Sequence, residues 1–134
     1  MFKVGVAVVI AVLFFHANSF ADDGKSFTKQ FYICEKKADA VTPEILDCVS
    51  QEFTKQDVRL NKAYRDLLSK LPQEKAEELR KVQRAWLGYV QAKCSFLYDG
   101  HELSGQEDRV AANYCSIQER AERATDLELL SNRF

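Results

Sequence analysis

The chain has 134 residues, with 19 Lys and Arg against 20 Asp and Glu and a formal net charge of −1. That length bounds it to one domain. The near-neutral balance excludes the strongly basic surface of a nucleic-acid binder and is compatible with a cationic protein partner.

The first residues are not fold. Met1-Phe2-Lys3 is a short positive start, and Val4 to Phe15 is an apolar run broken only by Gly5. Ser19-Phe20-Ala21 then places small residues at the −3 and −1 positions of a cleavage point. These are the parts of a secretory signal peptide, residues 1–21. The run falls short of the about 20 apolar residues that a membrane span needs. No Cys follows directly for lipid attachment. The expected mature chain is residues 22–134, one domain without a membrane anchor, in the bacterial periplasm or secreted.

The rest reads as all-α, because nothing alternates with period two for long and apolar residues recur at helical spacing. A short helix is expected from Ser26 to Ala38, with Phe27, Phe31, Cys34 and Ala38 on one face. Thr42-Pro43-Glu44 signals a helix start, with Thr as cap, Pro at the first position and an acid in the first turn. Ile45, Val49, Phe53, Leu60, Tyr64, Leu67 and Leu71 then trace one stripe. Pro72 stops that helix and begins the next, whose apolar face is read as Leu79, Val82, Trp86, Tyr89, Val90 and Leu97. A polar loop through His101, Ser104 and Gly105 leads to a last helix from Glu107 to Leu130, facing inward with Val110, Tyr114, Ile117, Ala121 and Leu127. The expected fold is a disulfide-stapled bundle of three main helices. The first two form a long antiparallel hairpin, and a short N-terminal helix precedes them. Lys62–Asp66, Asp66–Lys70, Glu77–Lys81 and Glu119–Arg123 stand at i,i+4 and read as solvated surface pairs.

Four cysteines follow the signal: Cys34, Cys48, Cys94 and Cys115. An even count in an exported chain reads as two disulfides. Zinc is the rival reading, but it favours close pairs such as C-x-x-C, and none is present. Of the three possible pairings, Cys34–Cys48 and Cys94–Cys115 are favoured as sequence neighbours. Each closes a loop of about 15 to 20 residues and contributes on the order of 3 kcal/mol by chain entropy.

The chemistry-bearing residues concentrate between Asp57 and Cys94. Counting outward from Leu71-Pro72 at about 1.5 Å per residue puts Asp57 and Arg84 at heights of roughly 21 and 18 Å. Asn61 comes level with Gln83, and Asp57, Asn61 and Tyr64 share one helix face. A buried or half-buried Asp57–Arg84 pair with Asn61, Tyr64 and Gln83 around it is therefore expected, acting as an interhelical lock that fixes register. Trp86 reads as core. A ligand site built from the same residues is the competing reading. Catalysis finds little support. His101 is the only histidine beyond the signal, and no H-E-x-x-H, G-x-S-x-G or phosphate loop occurs. No metal or cofactor is expected. The loop Asp99-Gly100-His101-Glu102, held at its base by Cys94 and Cys115, is the candidate partner-binding segment.

The pattern Cys34…Cys48…Asp57-x-x-Leu60-Asn61-x-x-Tyr64…Leu79-Arg80-x-x-Gln83-Arg84-x-Trp86-Leu87-x-Tyr89…Cys94…Gly100…Cys115…Arg123 resembles the lysozyme inhibitor LprI-like N-terminal domain family. It spans about Cys34 to Leu127. The chain departs from the family pattern at Val90-Gln91, at Gly100-His101-Glu102 and at Arg120. The resemblance implies a helical, exported bacterial binding protein, not an enzyme, that blocks a c-type lysozyme by occluding its cleft. The alternative is a periplasmic protein-interaction module, an immunity or assembly accessory protein, that leaves lysozyme alone. A glycan hydrolase is the weakest option. On this reading the motif defines the fold, and partner contacts come from the Asp99–Gly105 loop or the exposed faces.

Overall fold

The computed structural model describes residues 26–98 and 105–134 and is all-helical over them. Four helices follow in order: α1 (Lys29–Ala38), α2 (Thr42–Lys70), α3 (Gln73–Phe96) and α4 (Gln106–Ser131). The expected signal peptide, residues 1–21, and the candidate loop Asp99, Gly100, His101 and Glu102 lie outside the described residues. Among those described, no helix is long and apolar enough to cross a membrane.

Local chemistry sets the helix ends, with small differences from expectation. α1 begins at Lys29, not Ser26, and Thr28 caps it: its side chain accepts from the Phe31 amide at 3.3 Å. Thr42 is already helical, and Val41, whose side chain has no acceptor, takes the cap position without a side-chain bond; Pro43 in the first turn leaves one fewer N–H to cap. Asp39 and Ala40 both adopt positive φ, 44° and 65°, which folds α1 back onto α2 within three residues. Pro72 caps α3.

The core forms in two parts. At one end Phe31 and Ala38 of α1 meet Cys48 and Val49 of α2 and Ile117 of α4. At the other, Leu60, Ala63 and Leu67 of α2 meet Leu79 of α3 and Ala124 and Leu127 of α4. Ala63, Ala121 and Ala124 have no bulk beyond Cβ, so α2 and α4 approach closely along their length. The expected hairpin turns at Leu71-Pro72, and its two arms share the cluster containing Leu67 and Leu79. Its arms do not pack along their length, however. α4 packs against both α2 and α3, and a cleft opens between the arms. This explains why Val82, Tyr89 and Leu97, expected inside, are exposed. Only the narrower edge of Ala76, Leu79, Gln83, Val90 and Cys94 is covered.

Two disulfides staple the bundle, Cys34–Cys48 joining α1 to α2 and Cys94–Cys115 joining α3 to α4. This is the sequence-neighbour pairing. A polar ladder runs along α2 on another edge. Thr28 donates to Glu52, Gln56 Nε2 donates to Glu52 at 2.6 Å, and Arg59 Nη1 donates to Gln56 Oε1 at 3.3 Å. Arg59 then forks onto Glu128 at 2.8 and 2.5 Å. Of the four surface pairs, Lys62–Asp66 forms within α2. Glu77 takes Arg80 at i,i+3, Glu119 reaches across to Lys93, and Lys70 donates to the Ser131 carbonyl.

Candidate functional site

The cleft between the hairpin arms has a volume of about 290 Å³. α2 contributes Asp57, Leu60, Asn61 and Tyr64 to it. α3 contributes Arg80, Gln83, Arg84, Trp86 and Leu87, and Arg120 of α4 closes one side. Helical spacing produces this convergence: 57, 60, 61 and 64 fall on one face of α2, and 80, 83, 84 and 87 on one face of α3. All eight motif residues read from the sequence (Asp57, Leu60, Asn61, Tyr64, Gln83, Arg84, Trp86 and Leu87) therefore line a single cleft.

Asp57 and Arg84 both reach this cleft at nearly the same level, as expected, but they do not form the expected pair. Asp57 Oδ1 instead accepts from Arg120 Nε at 3.2 Å. Asn61 Nδ2 donates to Asp57 Oδ2 at 2.9 Å and to its carbonyl at 2.8 Å. Arg84 is exposed and makes no ion pair among the described residues. The physical reason is the position of α4. Its Arg120 comes in beside α2 with its guanidinium 3.9 Å above the Phe53 ring centroid and donates to the Ser116 carbonyl at 3.2 Å. That anchored cation reaches Asp57 at less entropic cost than a solvated arginine across the cleft.

The lock therefore joins α2 to α4. Arg120→Ala should cost about 2 kcal/mol in urea unfolding, from the lost ion pair, the stacking on Phe53 and the stem packing. Arg84→Ala should change stability by less than about 0.5 kcal/mol. The reverse order would restore the Asp57–Arg84 lock.

Gln83 forms part of the cleft floor and is only 7% exposed. Its Oε1 accepts from Arg123 Nε at 3.0 Å. The Arg123 guanidinium lies 5.9 Å over the Trp86 ring, and its Nη2 is buried without a hydrogen-bond partner among the described residues. Burial pushes Arg123 below the usual arginine range, and the charge of Asp126 acts in the opposite direction. Trp86 is half-buried between the core cluster and the cleft rather than fully core.

At Leu87 and Arg120 the cleft adjoins a second, larger groove of about 790 Å³ between α3 and α4, floored by Val90 and Cys94 and bordered by Tyr98 and Arg109. Arg123 closes the family pattern and Arg120 departs from it, but neither was expected to bond to Asp57 or Gln83. Their available signal was weak, two arginines three residues apart on the last helix.

The candidate binding loop Asp99, Gly100, His101 and Glu102 lies outside the described residues, between the disulfide-bonded Cys94 and Cys115. Among the described residues, no three His, Cys, Asp or Glu side chains gather as a metal site. A family model described as lysozyme inhibitor LprI matches residues 34–127, which includes both disulfides and the whole cleft. No curated protein and no solved structure shows significant similarity to the chain.

Proposed function

Because this chain belongs to the lysozyme inhibitor LprI family, we propose that it is an exported, non-enzymatic protein that binds a cationic c-type lysozyme and occludes its cleft. The observation that carries this reading is the extent of the family match, residues 34–127, from the first disulfide through most of α4. The amino-terminal pattern of residues 1–21 and the paired cysteines agree with passage into an oxidising compartment such as the periplasm.

The contact is assigned to the loop Asp99–Glu102. It carries two carboxylates, which suit a cationic enzyme, and the helices that precede and follow it are joined by Cys94–Cys115. The motif cleft is a poor match for such a partner, since three arginines and one aspartate line it.

A turbidity assay of cell-wall lysis tests the reading. Purified protein of residues 22–134 should suppress a c-type lysozyme in proportion to its molar ratio. Charge reversal at Asp99→Lys and Glu102→Lys together should weaken that suppression by about tenfold or more at low salt. Undiminished lysis at a large molar excess of the unaltered protein rejects inhibition of that lysozyme. The second reading, an interaction module with another partner, is favoured by one observation: the cleft's charge suits an anionic ligand.

A further inference from the structure

We propose that the α2–α3 cleft binds an extended segment of a partner protein through an internal acidic side chain and the peptide group beside it. This site is separate from the lysozyme contact.

Three observations converge on that ligand. The first is a surplus cation. Arg80 is paired with Glu77 at 2.7 Å and Arg120 with Asp57, whereas Arg84 stands at the rim with no carboxylate among the described residues. A guanidinium in that setting recognises a planar carboxylate through paired N–H donors.

The second is a matched donor and acceptor. Gln83 has committed its Oε1 to Arg123, so its Nε2 is left to donate, and it does so to no group among the described residues. The guanidinium behind it polarises the amide and strengthens that donor. Asn61 has committed its Nδ2 to Asp57, so its Oδ1 is left to accept. One donor and one acceptor on opposite walls of a cleft complement the C=O and N–H of a peptide group.

The third is shape. A cleft of about 290 Å³ holds a residue or two, and it opens past Leu87 into the larger α3–α4 groove. The ligand chain therefore runs through and does not end there. Trp86, Tyr64 and Leu87 supply apolar walls for the flanking side chains.

The test is nuclear magnetic resonance titration of the ¹⁵N-labelled, disulfide-intact protein. The probe is a short peptide of alanine and leucine with one central glutamate, blocked at both ends. The side-chain amides of Gln83 and Asn61 and the indole of Trp86 should shift saturably. The same peptide with glutamine at the centre should bind roughly tenfold more weakly. Arg84→Glu should weaken binding by about tenfold or more, while Lys55→Glu, the same charge change on an exposed position outside the cleft, leaves it within about twofold. Inhibition of lysozyme should not change in Arg84→Glu, which separates this site from the other proposal. Absence of saturable shifts at those three groups overturns the inference, as does equal loss in the two charge reversals. Tighter binding of a glutamate-free peptide with an unblocked carboxy terminus overturns it in favour of a chain end. Self-association abolished by Arg84→Glu overturns it in favour of a second copy of this chain.

Discussion

Replacing Cys94 and Cys115 together by serine should lower the stability of the protein by about 3 kcal/mol, equivalent to a fall of about 10–15 °C in Tm. The bridge closes a loop of sequence separation 21, and without it the unfolded chain regains the entropy of that loop. The native state loses something further. Beyond Gln83, α3 has only Val90 and Cys94 buried, while Leu87, Tyr89, Phe96, Leu97 and Tyr98 are exposed. With the disulfide gone, the C-terminal half of α3 is held to α4 by little more than Val90 and the Lys93–Glu119 pair. Hydrogen exchange should therefore accelerate first in the amides of residues 88–96, ahead of global unfolding. The Cys34–Cys48 bridge, of separation 14, should give a similar loss in Tm with the early exchange in α1. Thermal melts of the two double variants and of the oxidised protein settle the magnitude. A change under about 1 kcal/mol for Cys94/Cys115 would mean that packing alone seats α3. Because the larger groove is built on that half of α3 and the proposed Asp99–Glu102 contact follows it in the chain, the same variant should also lose the proposed suppression of lysozyme.

Helix boundaries were legible because they rest on local chemistry. Pro43 and Pro72 lie within a residue or two of real helix starts, and the disulfide pairing followed from sequence proximity. Height along the hairpin was legible too, since Asp57, Asn61, Gln83 and Arg84 reach one cleft as counting from Leu71-Pro72 implies. The partner of Asp57 was not. Arg120 is 63 residues away, and no count from a turn indicates which helix slides in beside the hairpin. The same fact misplaced Val82 and Tyr89, whose burial required α2 to cover α3 throughout.

Buried polar residues were not legible from the apolar pattern either. α2 buries a stripe of 49, 52, 56, 60, 63 and 67, spaced at three and four, in which positions 52 and 56 are Glu and Gln, outside the apolar stripe expected for this helix. That spacing is regular enough to have flagged them, because a polar residue in step with an apolar stripe is buried unless the stripe ends.

Glu52→Ala should accordingly be among the most damaging single substitutions in the protein, costing about 3 kcal/mol of the roughly 5–15 kcal/mol typical of a domain. Glu52 is 1% exposed and accepts three hydrogen bonds, from Thr28 N at 2.9 Å, Thr28 Oγ1 at 2.5 Å and Gln56 Nε2 at 2.6 Å. Truncation to alanine strands the buried Gln56 amide and the half-buried Thr28 donors and leaves a cavity where the side chain lay. Glu52→Gln keeps the volume and one acceptor oxygen but turns an N–H₂ toward groups that themselves donate, so about 1–2 kcal/mol is expected. Thr28→Val removes one donor and the cap of α1 together. Its effect and that of Glu52→Ala should therefore be non-additive by about 1–2 kcal/mol in a double-mutant cycle followed by urea unfolding. The alternative is that burying the carboxylate is a net penalty offset only by packing. In that case Glu52→Gln would be neutral or stabilising, and the cycle would close near zero. The two accounts thus differ in the sign of one measurement. On the first, Glu52 is what sets α1 against α2 before the Cys34–Cys48 bridge closes, so reduced Glu52→Ala protein should refold with α1 detached while α2 and α4 remain paired.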